Sequence, residues 1–378
     1  RPQWVFGMST YTFLGRGKVA AIYTRDGFDY LAVYEDGAWR ALDLPYTAFQ
    51  PQLVAWGGRL AFLAAGPAQP TALVACDPAT GRTEVLRSSF EAAFDAGCVS
   101  TPRSISFPTT GGQTAHAIFY PPSNPEFEAP EGERPPLIVI SHGGPTSQAQ
   151  PRFDPEIAFW TSRGLALVDV NYRGSSGYGR GYRDLLNGQW GVADVDDCLN
   201  AARYLTQRGE VDGRRLIIRG GSAGGYTTLC ALTFHDDFQA GASYYGVADL
   251  AALETDTHKF ESKYLDRLVG PWPEEAQLFH DRSPTHFTDR LSCPIILFQG
   301  LEDKVVPPSQ ASMMAEALDA KGLPYVHREF PGEGHGFRDA KNVRQALEEE
   351  LSFYSQIFGF PLADPIPAVP IRNSTGRE

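Results

Sequence analysis

The chain has 378 residues, 42% of them hydrophobic, and a formal net charge of −12: enough for more than one core, and the wrong sign for generic binding to nucleic acid or an anionic membrane. Its five cysteines, Cys76, Cys98, Cys198, Cys230 and Cys293, are odd in number, widely spaced and without a C-x-x-C pair, so neither a disulfide framework nor a zinc site is expected. With no apolar run of about 18 residues and cysteines read as reduced, the expectation is a cytoplasmic protein; secretion stays open because the chain starts at Arg1 without Met.

Residues 1–100 read as all-β. Val19–Tyr23, Tyr30–Tyr34, Leu60–Leu63 and Ala72–Cys76 are short strands joined by turns such as Glu35-Asp36-Gly37 and Asp77-Pro78-Ala79-Thr80-Gly81, with a spacing that suits about two four-stranded units. The composition breaks near residues 100–115, after which strands alternate with helical stretches, the pattern of a doubly wound, mostly parallel sheet. Residues 123–136, rich in Pro and Glu, read as a surface loop. Strand Leu137–Ile140 ends in Ser141-His142-Gly143-Gly144-Pro145, where glycine lets a backbone amide approach a substrate carbonyl; a plain Gly-Gly-Pro turn is the alternative. His142 reads as a residue that shapes this loop by hydrogen bonding. Strand Leu165–Val170 leads into Asn171-Tyr172-Arg173-Gly174, whose arginine either contacts substrate or braces the loop. The next predicted element is a helix over Val192–Arg208.

Leu216–Ile218 then runs into Gly220-Gly221-Ser222-Ala223-Gly224-Gly225 and helix-forming Tyr226–Leu232. A serine on a glycine-flanked strand-to-helix turn is how an α/β-hydrolase presents its nucleophile. Side chains at Gly220 and Gly224 would collide with the neighbouring strand and helix, while the helix N-terminus favours developing negative charge. Farther on, Glu261 is read as either a partner for a substrate's free amino terminus or a solvated helix charge. Tyr226, Tyr244, Tyr245 and Trp272 are read as pocket walls or core. The buried strand Pro294–Gly300 delivers two rival acids, Glu302 and Asp303, to the loop at its C-terminal end, where open α/β sheets place ligands. A helix over Ser309–Ala320 and a strand over Tyr325–Phe330 precede Pro331-Gly332-Glu333-Gly334-His335-Gly336-Phe337. The order serine, acid, histidine is that of α/β-hydrolases, and the amides of Ala223 and Gly144 are the expected oxyanion donors. This chemistry needs no metal or organic cofactor. The tail from Pro361, with Pro365, Pro367 and Pro370, is expected to be a mobile extension.

Five motifs in order, His142-Gly143-Gly144-Pro145, Asn171–Gly179, Gly220–Tyr226, Gln299–Pro307 and Gly332–Phe337, make residues 100–360 resemble the prolyl oligopeptidase family of serine peptidases. The likeness is greatest to the branch of acylaminoacyl peptidases and bacterial aminopeptidases, and includes Thr257–Asp266. The resemblance implies an α/β-hydrolase fold preceded by a β-propeller, and a triad of Ser222, Asp303 and His335. Asp303 is selected over Glu302 by a Gly-x-x-Asp-x-x-Val-Pro pattern. It further implies cleavage of short peptides or of aminoacyl or acylaminoacyl amides through an acyl-enzyme, and assembly into homo-oligomers. Arg173, Tyr226 and Glu261 stand as candidate substrate contacts. The expected division is a propeller fragment over 1–100, the catalytic domain over 101–360 and a Pro-rich tail over 361–378. Two blades do not close a propeller, which needs about 4 to 8, so the missing portion is expected upstream or on a separate chain. Expected partners are short peptide or amide substrates and that missing portion, not nucleic acid or membrane. The rival readings are a carboxylesterase or lipase and a non-catalytic, propeller-based binding protein.

Overall fold

Hairpins built on two-residue turns open the chain in the computed structural model, which describes residues 6–15, 17–91, 94–256, 259, 261–291 and 293–374. Strands β1 (Tyr11–Gly15), β2 (Lys18–Arg25), β3 (Phe28–Glu35) and β4 (Ala38–Ala41) form one antiparallel sheet. Strands β5 (Ala48–Trp56), β6 (Arg59–Gly66), β7 (Gln69–Cys76) and β8 (Thr83–Ser88) form a second. The turn pairs Asp26-Gly27 and Asp36-Gly37 have positive φ at both positions, the geometry that matches the twist of paired strands. Leu31, Val33, Phe49, Leu53, Phe62 and Val74 pack between the sheets, because alternate residues of each strand point to the same side.

The rest of the chain builds an eight-stranded sheet from β9 (Arg103–Pro108), β10 (Thr114–Tyr120), β11 (Leu137–Ser141), β12 (Ala166–Asn171), β13 (Leu216–Gly221), β14 (Ala240–Tyr244), β15 (Ile295–Gly300) and β16 (Tyr325–Phe330), ordered β16-β15-β14-β13-β11-β12-β10-β9. From β12 to β16 neighbouring strands are parallel; β10 and β9 run antiparallel at the edge. The helices are α1 (Pro155–Thr161), α2 (Gly179–Asp184), α3 (Ala193–Gln207), α4 (Ala223–Phe234), α5 (Leu250–Asp256), α6 (Tyr264–Leu268), α7 (Ala276–Asp281), α8 (Pro308–Ala320) and α9 (Ala340–Phe358). Central strands are apolar on both sides because both faces are covered. Val139, Ile218 and Leu297 join the layer holding α3, α4 and α8, whereas Ile138, Ile217 and Phe298 join the layer holding α1 and α9.

A strap of chain from Pro145 to Asp154 ties the two parts together. Thr47 Oγ1 donates to the Pro151 carbonyl at 2.5 Å, Gln150 Nε2 to Asp29 Oδ2 at 2.6 Å, and the Phe153 amide to the Gly66 carbonyl at 2.7 Å. The tail departs from the sequence expectation. Its prolines exclude helix, but Val369 is buried and bonded through its amide to Ser352 Oγ, and Arg372 exchanges both backbone hydrogen bonds with Tyr325. Extended chain next to the β16 edge finds partners that an isolated Pro-rich segment lacks. Of the segment Thr257–Asp266, Thr257, His258 and Phe260 lie outside the described residues. Among the described residues no helix is long and apolar enough to cross a membrane.

Candidate active site

Ser222 stands between β13 and α4 with φ 58° and ψ −123°, a conformation most residues avoid and one that lifts Oγ clear of the sheet. The flanking glycines are required by space. A Cβ at Gly220 would come within 2.3 Å of the Gly224 carbonyl oxygen, and one at Gly224 within 1.9 Å of the Ser141 oxygen. The Ser222 amide is held by the Tyr244 carbonyl at 2.9 Å.

His335 reaches this serine from the loop after β16, with Nε2 2.9 Å from Ser222 Oγ and Nδ1 2.8 Å from Asp303 Oδ2. Asp303 leaves β15 and is 4% exposed; its other oxygen accepts the Val305 and Val306 amides at 2.8 and 2.9 Å. Glu302, next to it on the same turn, is exposed. Glu333, unremarked in the sequence, pins the histidine loop: its buried carboxylate accepts the Arg338 and Asp339 amides and Asn342 Nδ2. Only its place in Pro331-Gly332-Glu333-Gly334-His335 signalled this.

A cavity of about 910 Å³ opens over the C-terminal ends of the strands, lined by Ser222, His335, Gly143, Gly144, Ala223, Tyr244, Tyr245 and Glu261 among others. Gly144 has φ 125°, and a Cβ there would meet the Thr146 amide nitrogen at 2.7 Å. Two of the candidate substrate contacts are not among the residues lining the cavity. Arg173 is buried and spends its guanidinium on Asp197, Thr110 Oγ1 and the Ala193 carbonyl, so it braces the loop as a buried cation must. Tyr226 is fully buried against Trp190, its hydroxyl donating to the Arg282 carbonyl at 2.8 Å. It lies on α4 one turn past Ser222, where the helix faces the core. Among the described residues no group of three or more His, Cys, Asp or Glu is arranged to hold a metal ion.

His142 shapes the Gly-Gly-Pro loop. Its Nε2 lies 2.8 Å from Ser175 Oγ, its ring stacks on Tyr172, and the Tyr172 hydroxyl donates to the His142 carbonyl at 2.7 Å. Burial pushes this imidazole from an ordinary 6.5 down to about 4, against a raising contact from the Gly143 carbonyl. The folded value lies below the unfolded one. The stabilisation from a neutral ring is therefore complete above pH 6.5 and lost as pH falls through about 4. Allowing for the ring's partial exposure, that loss is about 1–2 kcal/mol. Urea unfolding at pH 7.5 and 5 is expected to show the decline, and His142→Gln to reduce it; an equal decline in the variant would remove His142 as its source.

Comparison with known proteins agrees with this architecture. A model of the prolyl oligopeptidase family matches residues 151–360. The structure of a Mycobacterium tuberculosis puromycin-hydrolysing peptidase superposes with a TM-score of 0.95 at 43% identity, covering 98% of this chain and 56% of that one. Dipeptidyl peptidase family member 6 of Caenorhabditis elegans is 32% identical over 261 residues, 63% of this chain and 35% of that protein. An acylamino-acid-releasing enzyme of Arabidopsis thaliana is 32% identical over 212 residues, 54% of this chain and 28% of that protein. The chain thus spans about a third of the curated relatives it matches. With two antiparallel four-stranded sheets before an α/β-hydrolase sheet, and a family match over more than half its length, the chain belongs to the prolyl oligopeptidase family of serine peptidases.

Proposed function

We propose that this chain hydrolyses peptide or amide bonds of short substrates through an acyl-enzyme on Ser222. The hydrogen-bonded line Ser222–His335–Asp303 at the floor of one cavity carries this reading. His335 Nε2 takes the Ser222 proton as Oγ attacks the scissile carbonyl carbon, and returns it to the departing nitrogen. Asp303 holds the other ring nitrogen, so Nε2 is the one free to accept. The Gly144 and Ala223 amides take the carbonyl oxygen as it gains charge, beside the N-terminus of α4. Water then repeats the sequence on the ester and frees the acid. Residues 1–100, 101–360 and 361–378 are assigned to a propeller fragment, the catalytic domain and a tail. A cytoplasmic setting, supported by five free cysteines, and homo-oligomeric assembly belong to the same proposal.

Fluorophosphonate labelling of the full-length protein, followed by comparison of aminoacyl, acylaminoacyl and dipeptidyl chromogenic amides, tests it. Labelling at Ser222 with amide turnover is expected; turnover of esters alone would point to a carboxylesterase, and no labelling to a binding protein. The names of the similar proteins include dipeptidyl and acylamino-acid release, and Glu261 favours aminoacyl release. It borders the cavity near Leu265 and Leu253, where a carboxylate can pair with a free α-amino group. N-acetylation of a good substrate is therefore expected to lower kcat/KM about 5-fold to 150-fold, equivalent to about 1–3 kcal/mol. Glu261→Gln should erase most of that difference. Equal or faster cleavage of acylated substrates would instead favour acylaminoacyl release.

A further inference from the structure

The residues lining the cavity divide into two arms by the face of the sheet on which they pack, and its exposed arginine belongs to one of them. On the side of α4, its walls are Trp190, Val247, Leu253, Leu265 and Val306, an apolar recess suited to a side chain of the acyl fragment. On the side of α1 and α9, the walls are Tyr245, Phe337 and Leu347, together with Glu156 of α1, Arg219, which pairs with Glu156 and with Glu350 of α9, and Arg152, beside the Asp154 that precedes α1. The histidine loop belongs to the second arm: the Tyr245 ring centroid is 4.8 Å from that of His335 and 5.5 Å from that of Phe337. A departing nitrogen must stay within reach of His335 Nε2 to be protonated, so the leaving fragment occupies this arm.

The two arginines there differ. Arg219 is buried, paired with Glu156 and with Glu350 at 2.9 Å, and lies over the Tyr244 ring. Arg152 is exposed; its closest carboxylate is Asp154 at 4.0 Å, and among the described residues its guanidinium donates no hydrogen bond to the protein. Its backbone is nevertheless fixed, since the residues on either side of it, Pro151 and Phe153, are bonded to Thr47 and Gly66. Asp154 is committed to the Glu156 amide at 2.9 Å. The result is a guanidinium with unused donors, carried on a fixed backbone, in the lining of the leaving-group arm.

We infer that Arg152 is a specificity residue that binds the free carboxylate of a leaving fragment one or two residues long. This rests on the hydrolytic reading above. The planar fork of arginine matches a carboxylate with two parallel hydrogen bonds, which a C-terminal amide cannot reproduce. The acidic neighbours Asp154 and Glu156 moderate its attraction for a further anion.

The test uses the full-length protein and matched di- and tripeptides that differ only in a C-terminal acid or amide, with kcat/KM compared within each enzyme. The wild type is expected to favour the acid about 5-fold to 20-fold, mainly through KM, a range set by a charge-assisted hydrogen bond at a partly exposed site. In Arg152→Gln the acid-to-amide ratio should fall to near one, and in Arg152→Lys part of it should remain. A wild-type ratio near one, or a ratio unchanged in Arg152→Gln, overturns the assignment while amide hydrolysis itself stands. Failure of the wild type to hydrolyse any peptide or anilide removes the hydrolytic reading and this inference with it.

Discussion

Ser222→Ala is expected to lower kcat by at least about 10,000-fold while leaving the folded state intact. The substitution removes Oγ and nothing else that the fold uses. The strained backbone at φ 58° is held by the Tyr244 carbonyl and by packing of Gly220 and Gly224 against β11, none of which involves the side chain. The measurement is kcat on the best chromogenic amide, with circular dichroism to verify folding and loss of fluorophosphonate labelling to verify the site. Retention of more than about a tenth of wild-type turnover would exclude Ser222 as nucleophile, given the losses typical of triad members.

Asp303→Asn should cost nearly as much, on the order of 10,000-fold, whereas Glu302→Gln should change the rate by less than about threefold. Asp303 Oδ1 accepts two backbone amides, so an asparagine keeps its oxygen there and turns its NH2 toward His335. Nδ1 would then have to accept, the ring proton would move to Nε2, and Nε2 could no longer take the proton of Ser222. Glu302 faces solvent and touches no triad member's side chain. A larger loss in Glu302→Gln would mean that the wrong carboxylate was chosen.

The two substitutions also mark how far sequence carries. Local signals determined the elements and the order of the reacting groups. Gly220 follows from its approach to Gly224 within one strand-to-helix turn and Gly224 from its approach to β11, the paired Asp-Gly turns from backbone twist, and the continuous apolar strands from burial on both faces. Each leaves its mark on residues within a few positions of one another, so the pattern is legible in the chain. The choice between Asp303 and Glu302 needed a family pattern, because on the chain they are adjacent and chemically alike; in the structure Asp303 is buried and Glu302 exposed. For Arg173 and Tyr226 the sequence left substrate contact and a bracing or core role both open, for a similar reason. Proximity in sequence to a motif does not say which way a side chain faces, and Asp197 and Arg282, the partners that hold them, lie 24 and 56 residues away. The contacts of the tail were not foreseen because they are made with α9 and the edge of β16, which composition does not encode. Arg152 carried no signal in the chain. Only the tertiary structure decided that the strap from Pro145 to Asp154 is bonded to the first two sheets, and so sets a guanidinium in the lining of a cavity to which three parallel strands, β11, β13 and β14, and the segments around them contribute. Contacts between distant segments form only when the whole sheet is assembled, which is why the motifs that bring Ser222, Asp303 and His335 together were legible in the sequence and the shape of the space around them was not.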